Sequence, residues 1–444
     1  MTPIDARRRR AAGERRGTQA GVTGRPVRYI VDRMKLRNIA AVGGLLLFAL
    51  TATPRSQGTA KVFTGMRLID GTDAPPVANA TIVVQDGRIV AAGAANAVTV
   101  PPNAERISLA GKTVTPGLIN AHGHANNAGR DLEVYAAYGV TTVFSLGGES
   151  EAVMAARHMP IPVDRARVFG AGPVLAPSSP EEARRQVAQT AAMKVDLIKI
   201  RVDDNLGTTA KMRPDVYRAV IDEAHKRGLR VAAHLFYLSD ATDLLDAGAD
   251  LIAHSVRDAA VSPDLIATLK AKGVCVCPTL MREVSTFVYE TVPPFFSDPL
   301  FVKYADATQV KTLQEPARQQ AMRTSPSARR YKAALEVASR NLKALSDGGV
   351  TIAMGTDTGP AGRFQGYFEL MELELMVKAG LTPKQTLLSA TRDAARCMKV
   401  DQDLGTLQPG RWADMVVVDA DPLADIRAMR QISDVYIGGN RVNR

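Results

Sequence analysis

The sequence predicts an α/β fold, because short β-branched runs alternate with amphipathic helical stretches through the middle of the chain. Most of the runs are separated by a helix candidate, such as Arg213 to Arg227 or Pro263 to Lys272. Eight runs can be counted, in chain order VTPGLINAH, GVTTVFSL, ARVFGAG, LIKIRV, RVAAHL, LIAHSV, VCVCPTL and TIAMGTD. A series of this length predicts a TIM (β/α)8 barrel.

The two ends of the chain have a different pattern. From Ala60 to Thr113 short alternating runs are broken by Gly, Asp and Pro, which is typical of antiparallel strands and hairpins. The stretches ADMVVVDAD and ISDVYIGGNRV, after the Pro409-Gly410 turn, behave similarly. We therefore expect a small β-sandwich built from both chain ends. The predicted divisions are a leader at 1–57, the two sandwich parts at 58–113 and 404–444, and the barrel at 114–403.

One connection in the predicted barrel is unusually long. It follows the seventh run, spans about residues 282–325 and contains Pro293-Pro294, Phe295, Phe296 and Tyr304. We expect it to lie over the barrel mouth. Two alternatives stay open: a solvated insertion without a role, or an aromatic-lined lid that shapes the substrate pocket.

Composition and charge exclude some classes of function. The 46% hydrophobic and 23% charged residues are ordinary for a globular protein. The net charge of +11 is concentrated in residues 1–57, which hold 12 Lys or Arg and 3 Asp or Glu, leaving 44 and 42 in the rest. Because the remainder is nearly neutral, we expect no nucleic-acid partner.

The basic N-terminal region resembles an export signal. The charged segment Met34-Lys35-Leu36-Arg37 precedes an apolar run from Ile39 to Ala52 and small residues suited to cleavage. The run is shorter than the roughly 20 apolar residues of a membrane span. We expect translation to start at Met34, and export to the periplasm or the medium with no stable membrane span after cleavage. An uncleaved anchor is the alternative.

The three cysteines, Cys275, Cys277 and Cys397, are too few for a disulfide framework. We expect all three to be small buried hydrophobic residues. His158 and His225 lie in charged, helix-like stretches, and we expect both to be exposed.

His122-Gly123-His124 is the first motif that suggests chemistry. Residues two apart on a strand project from the same face, so both imidazoles could bind one metal. Active sites of barrels of this kind lie at the C-terminal ends of the strands, which is where this motif falls. On this motif alone, a structural histidine pair is an equal alternative.

The segment PGLINAHGH resembles the first barrel strand of the amidohydrolase superfamily, whose metal ligands come from the ends of strands one, four, five, six and eight. The tail GTLQPGRWADMVVVDADPLADI is also similar to that family, so the resemblance covers about residues 60–444. Strand four offers a lysine in DLIKIRVDD, strands five and six offer histidines in VAAHL and LIAHSV, and strand eight offers an aspartate in MGTDTG. The implied metal ligands are His122, His124, Lys199, His234, His254 and Asp357.

The resemblance implies two divalent ions bridged by N6-carboxylated Lys199, and nitrogen and oxygen ligands are most consistent with zinc. A lysine on a strand is usually a solvated charge. Here Leu197, Ile198 and Ile200 make the strand apolar, and an inward ammonium beside two cations would be strongly disfavoured. The implied catalytic residue is Asp357, which would accept a proton from a metal-bridging hydroxide and pass it to the leaving nitrogen.

Within the superfamily, NAHGH and GTDTG are most similar to the imidazolonepropionase-related branch, which includes Xaa-Pro dipeptidases. Two features depart from that branch. Its Gly-Gly-His segment after strand three is absent, since AGPVLAPSSPEEA stands there. Its tyrosine after the strand-five histidine is replaced by Phe236, with Tyr237 one place later. Tyr237 is our candidate for contacting the substrate carbonyl.

The function that we expect is hydrolysis of an amide or peptide bond in a small-molecule substrate, such as a dipeptide or an N-acyl amino acid. A lactone, ester or carbamate hydrolase with the same metal pair is the first alternative. An inactive exported binding protein on a decayed barrel is the second. Homo-oligomer formation stays open.

Overall fold

Strands occur at both ends of the chain and, between helices, through its middle. The computed structural model describes residues 59–160 and 164–444, so the predicted leader and signal peptide lie outside the described residues. Within the described residues the strands are β1 (Lys61–Leu68), β2 (Val77–Gln85), β3 (Arg88–Ala94), β4 (Glu105–Ser108), β5 (Thr113–Pro116), β6 (Leu118–Gly123), β7 (Val140–Ser145), β8 (Arg167–Gly170), β9 (Val174–Leu175), β10 (Ile198–Arg201), β11 (Val231–His234), β12 (Leu251–Ala253), β13 (Cys275–Cys277), β14 (Met415–Val418), β15 (Ile432–Ile437) and β16 (Asn440–Arg441).

The helices of the described residues lie mainly between β6 and β14. They are α1 (Arg130–Ala137), α2 (Glu151–Ala156), α3 (Pro180–Ala192), α4 (Pro214–Lys226), α5 (Leu238–Ala247), α6 (Pro263–Lys272), α7 (Leu280–Val284), α8 (Pro299–Tyr304), α9 (Ala307–Leu313), α10 (Pro316–Thr324), α11 (Pro326–Asp347), α12 (Tyr367–Lys378), α13 (Pro383–Ser389) and α14 (Arg392–Met398). None of the helices in the described part of the chain has both the length and the apolar character needed to span a membrane.

The middle of the chain forms two parallel sheets, which confirms the α/β class. One has the order β6-β7-β8 and the other the order β13-β12-β11-β10-β9. Helices α4 and α6 match the two helix candidates to within a residue or two. Helix α6 starts where the Ser262 side chain accepts a hydrogen bond from Leu265 N and ends at Gly273, whose φ of 64° is left-handed.

Backbone hydrogen bonds connect the edges of the two parallel sheets. Asp196 N donates to Gly170 O over 2.9 Å, which joins the end of β8 to the start of β10. The eighth predicted run does not form a strand; it makes a single parallel bridge, Val276 with Ile352. Its Met354 O accepts from Ala121 N of β6 over 2.8 Å. The eighth run therefore lies between β13 and β6.

Both chain ends contribute to a separate mixed sheet of eight strands, in the order β16-β15-β14-β5-β1-β2-β3 with β4 also paired to β1. Its buried face includes Phe63, Ile82 and Met415. The contribution of both ends agrees with the sequence analysis. All of these strands belong to one sheet. Their arrangement as the two facing layers of a β-sandwich therefore stays a prediction.

Most aromatic residues of the 282–325 segment are buried, while Phe287 and Tyr304 are partly buried. Phe295, Phe296 and Phe301 have side chains in mutual ring contact, with centroids 5.1 to 5.4 Å apart. They also contact Phe364 and Phe368, which lie beside and within α12. These rings belong to the hydrophobic core, and a role as a lid stays a prediction.

Two of the cysteines are buried, as expected, but they are bonded to each other. Cys275 of β13 and Cys397 of α14 form a disulfide, with Cα atoms 6.0 Å apart. The two residues are 122 positions apart in the sequence, so only the packing of α14 against the parallel strands reveals their proximity. Cys277 is free and buried, as expected.

Candidate active site

The six predicted ligands all lie at or just beyond the C-terminal ends of parallel segments. His122, Lys199 and His234 are in β6, β10 and β11, and His254 directly follows β12. Parallel strands end at the same edge, so side chains from distant parts of the chain meet there. His124 and Asp357 lie in the loops after β6 and after the Ile352 bridge, respectively.

His122, His124 and Asp357 form the first half of this cluster. His124 Nε2 lies 2.8 Å from Asp357 Oδ1, and His122 Nε2 lies 3.5 Å from the same oxygen. Lys199 Nζ lies 3.4 Å from His122 Nε2. Lys199 therefore adjoins the first half of the cluster from strand β10 of the other parallel sheet.

His234 and His254 form the second half. Their ring centroids are 4.2 Å apart, and those of His254 and His122 are 4.6 Å apart. The ligand atoms of His122, His254 and Asp357 all lie within 4.8 Å of one another. Within the described residues, His122 Nδ1 and His254 Nε2 are buried without a hydrogen-bond partner. Unsatisfied imidazole nitrogens beside a carboxylate are a donor set that fits a divalent ion.

Burial determines the ionisation of these side chains. It lowers the pKa of His122 and His254 well below the usual range, and it lowers the pKa of His234 to about 3 against the opposing effect of Asp203. These three histidines are therefore neutral near pH 7, which is the form that binds metals. Burial also lowers the pKa of Lys199 to about 8, so a neutral amine is accessible for carboxylation.

The backbone is strained at two of the predicted ligands. His254 and Asp357 have φ values of 90° and 58°, and Thr279 has 52°. Such left-handed conformations are uncommon for residues other than glycine and cost about 1–3 kcal/mol each. Hydrogen bonds stabilise these conformations. Asp357 N donates to His122 O, and His254 Nδ1 lies 2.7 Å from Thr279 Oγ1. Strain of this kind concentrates at functional sites.

A buried polar network fixes the first strand end. Asn120 Oδ1 accepts from His122 N over 2.9 Å, and Asn120 Nδ2 donates to Glu369 over 2.6 Å. The hydroxyls of Thr356 and Thr358 donate to the same carboxylate. Glu369 thus ties β6 to the loop that carries Asp357. Sequence analysis missed it, because only packing brings α12 to this position.

Two charged residues next to the ligands were also missed. Arg363 Nη1 forms an ion pair with Asp357, and its Nε donates to Ser285 Oγ over 3.1 Å. Burial would raise the pKa of Asp357, but Arg363 and His124 hold that pKa well below its usual range. Asp203 Oδ2 lies 3.2 Å from His234 Nε2. Its position four residues after Lys199 on the same strand end was a signal that could have identified it.

Tyr237 lies beside the loop that follows β10. Its hydroxyl donates to Asp204 over 2.8 Å, and Lys211 Nζ lies 3.9 Å from its ring centroid. The contact with a substrate carbonyl stays a prediction. His225, which pairs with Asp250, and His158 are exposed, in agreement with the sequence analysis.

The family comparison agrees with this geometry. Residues 113–442 match the model of the family described as "Amidohydrolase family". The chain belongs to the amidohydrolase family. This membership confirms the resemblance, and the relatives and structural neighbours carry names from the same branch.

Three of the similar proteins illustrate the relationship. Imidazolonepropionase of Mycolicibacterium smegmatis is 25% identical over 357 residues, covering 77% of this chain and 85% of the relative. Ochratoxinase of Aspergillus niger is 26% identical over 284 residues, covering 61% of this chain. The match spans 51% of ochratoxinase, about half of its length. A Xaa-Pro dipeptidase structure with bound methionine superimposes with a TM-score of 0.69 at 19% identity, over 87% of this chain and all of the dipeptidase, which shows a shared fold.

Proposed function

We propose that this amidohydrolase is a metal-dependent hydrolase that cleaves the amide or peptide C–N bond of a small substrate, such as a dipeptide or an N-acyl amino acid. The observation that carries the proposal is the convergence of His122, Lys199, His254 and Asp357 from four separate segments, where the ligand atoms of His122, His254 and Asp357 lie within 4.8 Å of one another. Family membership supports the same chemistry.

His122, His124 and Asp357 would hold one divalent ion and His234 and His254 a second, with N6-carboxylated Lys199 between the two. Zinc suits these nitrogen and oxygen ligands. Ions bound there would polarise the substrate carbonyl and increase the acidity of water. The proposal also includes closure of the two parallel sheets into a TIM barrel, which the hydrogen bonds between their edges and the family membership support.

The protein's own residues would move the proton. Asp357 is kept ionised by Arg363, so its carboxylate would accept a proton from the attacking water and deliver it to the leaving nitrogen. Asn120 and Glu369 would keep His122 in position while the proton moves. The four histidines would serve as ligands only.

We also propose that the chain is exported to the periplasm or the medium. The Cys275–Cys397 disulfide supports export, because structural disulfides persist mainly in oxidising compartments. N-terminal sequencing of the mature protein tests this proposal, and a product that begins at Thr2 would contradict it.

A substrate panel on zinc-loaded protein tests the proposed reaction. We expect turnover of N-acyl amino acids or dipeptides, and bound metal in excess of one ion per chain. Turnover of lactones, esters or carbamates without amide turnover would contradict the amide assignment and support the first alternative. Less than about one ion per chain with no turnover would support the inactive binding protein.

Replacing Asp357 by Asn tests the proton-transfer role. The amide cannot accept the proton, so we expect kcat to fall by about 10²–10⁴-fold while metal content falls less. Turnover and bound metal are measured on the same preparation. Near-normal turnover in Asp357→Asn would rule out this role.

A further inference from the structure

Two buried guanidinium groups share a single carboxylate next to the metal-ligand cluster. Arg257 and Arg282 are 1% and 6% exposed, and Glu283 is 1% exposed. Glu283 Oε1 lies 3.1 Å from Arg257 Nε, and Glu283 Oε2 lies 3.2 Å from Arg282 Nη1. The three side chains together carry a net charge of one positive.

Arg257 is held directly beside two of the predicted ligands. Its Nη1 donates to Ser255 O over 2.8 Å and to Leu235 O over 3.1 Å. These carbonyls belong to the residues that follow His254 and His234. The guanidinium therefore lies on the side of the cluster formed by β11 and β12.

Arg282 is connected to the opposite side of the cluster. Its carbonyl accepts from Ser285 Oγ over 2.6 Å, and that hydroxyl accepts from Arg363, the ion-pair partner of Asp357. The two arginines thus follow consecutive strands, with Arg257 in the loop after β12 and Arg282 in helix α7 after β13.

An aromatic pair lies against both guanidinium groups. The Arg257 group is 4.7 Å from the Phe236 ring centroid, and the Arg282 group is 4.2 Å from that of Tyr331. Arg282 Nη2 also donates to the Tyr331 hydroxyl over 3.0 Å. Stacked, planar guanidinium groups are fixed in orientation and suited to bind a carboxylate through two parallel hydrogen bonds.

The hydrogen-bonding capacity of the pair is incomplete. Within the described residues, Arg257 Nη2 and Arg282 Nε are buried without a hydrogen-bond partner. A buried positive charge with free donors is disfavoured unless an anion compensates it. Glu283 contacts both guanidinium groups and supplies a single negative charge to them.

We propose that Arg257 and Arg282 form the subsite that binds the carboxylate of the substrate, so that the enzyme prefers amides whose leaving amine or acyl part carries that group. This inference rests on the proposed function. Arg282 makes the primary contact, because its side chain is 8% exposed whereas that of Arg257 is fully covered. Arg257 and Glu283 fix its orientation.

The test compares N-acetyl-L-phenylalanine with N-acetylphenethylamine, which has the same amide but no carboxylate. For the zinc-loaded full chain we expect kcat/KM to be about 10–100-fold higher for the carboxylate substrate. Arg282→Met is expected to remove this preference, so that kcat/KM becomes equal for the two compounds in this variant. Arg282→Lys retains the charge but not the planar guanidinium group. We expect its preference for the carboxylate substrate to lie between those of wild type and Arg282→Met.

Arg329→Met is the matched control, because Arg329 is exposed on α11, the helix that carries Tyr331. It is expected to keep the wild-type preference. Equal kcat/KM for the two compounds in the wild-type enzyme would overturn the subsite. A similar decrease in kcat/KM for both compounds, in Arg282→Met and in Arg282→Lys, would also overturn the subsite.

Calorimetric binding of the same two compounds to the Asp357→Asn variant separates this inference from the proposed function. Binding to this variant that requires the carboxylate and Arg282, while the zinc-loaded wild-type enzyme hydrolyses no amide, supports the subsite and contradicts the proposed function. Hydrolysis of both compounds at equal rates, with equal binding, supports the proposed function and contradicts the subsite.

Discussion

Lys199 is the residue on which the predicted metal pair most depends. Its side chain is 2% exposed, and its Nζ lies 3.4 Å from His122 Nε2. An ammonium in that position would repel two cations, whereas a carboxylated lysine supplies an anionic oxygen to both. Burial favours this modification, because it lowers the pKa of the amine to about 8.

Lys199→Gln removes the bridging group. We expect bound metal to fall from about two ions per chain to one or fewer, with loss of turnover, because a neutral amide cannot balance two cations. Metal content is measured by elemental analysis. Lys194→Gln, an exposed lysine that precedes the same strand, is the control and should keep wild-type metal content. Two ions per chain in Lys199→Gln would contradict the bridging role.

Glu372 gives a pH dependence of stability that is independent of the metal ligands. Burial raises its pKa from about 4.5 to about 8, although Met281 N and Leu280 N donate to the carboxylate. Between these values the folded protein holds a proton that the unfolded chain releases. The contribution to the free energy of unfolding is therefore complete below about pH 4.5 and is lost as the pH rises to about 8.

Thermal unfolding of wild type and Glu372→Gln across this pH range measures the contribution. We expect the wild-type melting temperature to fall more steeply from pH 4.5 to 8 than that of the variant, which cannot ionise there. Glu336→Gln, on the exposed side of α11, should follow the wild-type curve. Parallel curves for wild type and Glu372→Gln would contradict the raised pKa.

Single residues also show how far the sequence could predict the site. His122, His124, His234 and His254 could be identified because each ends an apolar run, where barrel active sites lie. Glu369, Arg363 and the Arg257–Arg282 pair could not be identified in this way. Their roles depend on contacts between distant segments, which no local pattern records.

Among the secondary-structure elements, those whose two ends are marked by capping residues were predicted best. Helix α6 matched its predicted range because Ser262 and Gly273 mark its two ends. The eighth run formed only the bridge at Ile352, and the short strand β9 was not foreseen. Both depend on how neighbouring strands pair, and the alternation of apolar residues does not determine that pairing.

The disulfide between β13 and α14 connects two secondary-structure elements and was not predicted from the sequence. It closes a segment of 122 residues, so removing it is expected to lower the free energy of unfolding by about 2–5 kcal/mol. Cys397→Ser should therefore melt several degrees below wild type. Mass spectrometry of the unreduced protein should find Cys275 and Cys397 in one linked peptide pair.

A reducing agent provides the control for this prediction. It should lower the melting temperature of wild type to that of Cys397→Ser and leave the variant unchanged. Equal melting temperatures for oxidised wild type and Cys397→Ser would show that the cross-link does not contribute to stability.

For the whole molecule, the fold explains how the six candidate ligands, which are spread from His122 to Asp357, come together. Parallel strands that alternate with helices bring all their C-terminal ends to one edge, and the loops at that edge carry the candidate ligands. The sequence predicted this convergence through the order of its strands. The single mixed sheet from the chain ends was predicted in location, while its arrangement as a sandwich was not determined.

A crystal structure of the zinc-loaded protein, with anomalous data collected at the zinc edge, tests the central claim most directly. The account predicts two anomalous peaks about 3.5–4 Å apart. One peak should contact His122, His124 and Asp357, the other His234 and His254, with extra density on Lys199 Nζ between them. Absence of zinc from this cluster, or an unmodified Lys199 that contacts neither ion, would contradict the account.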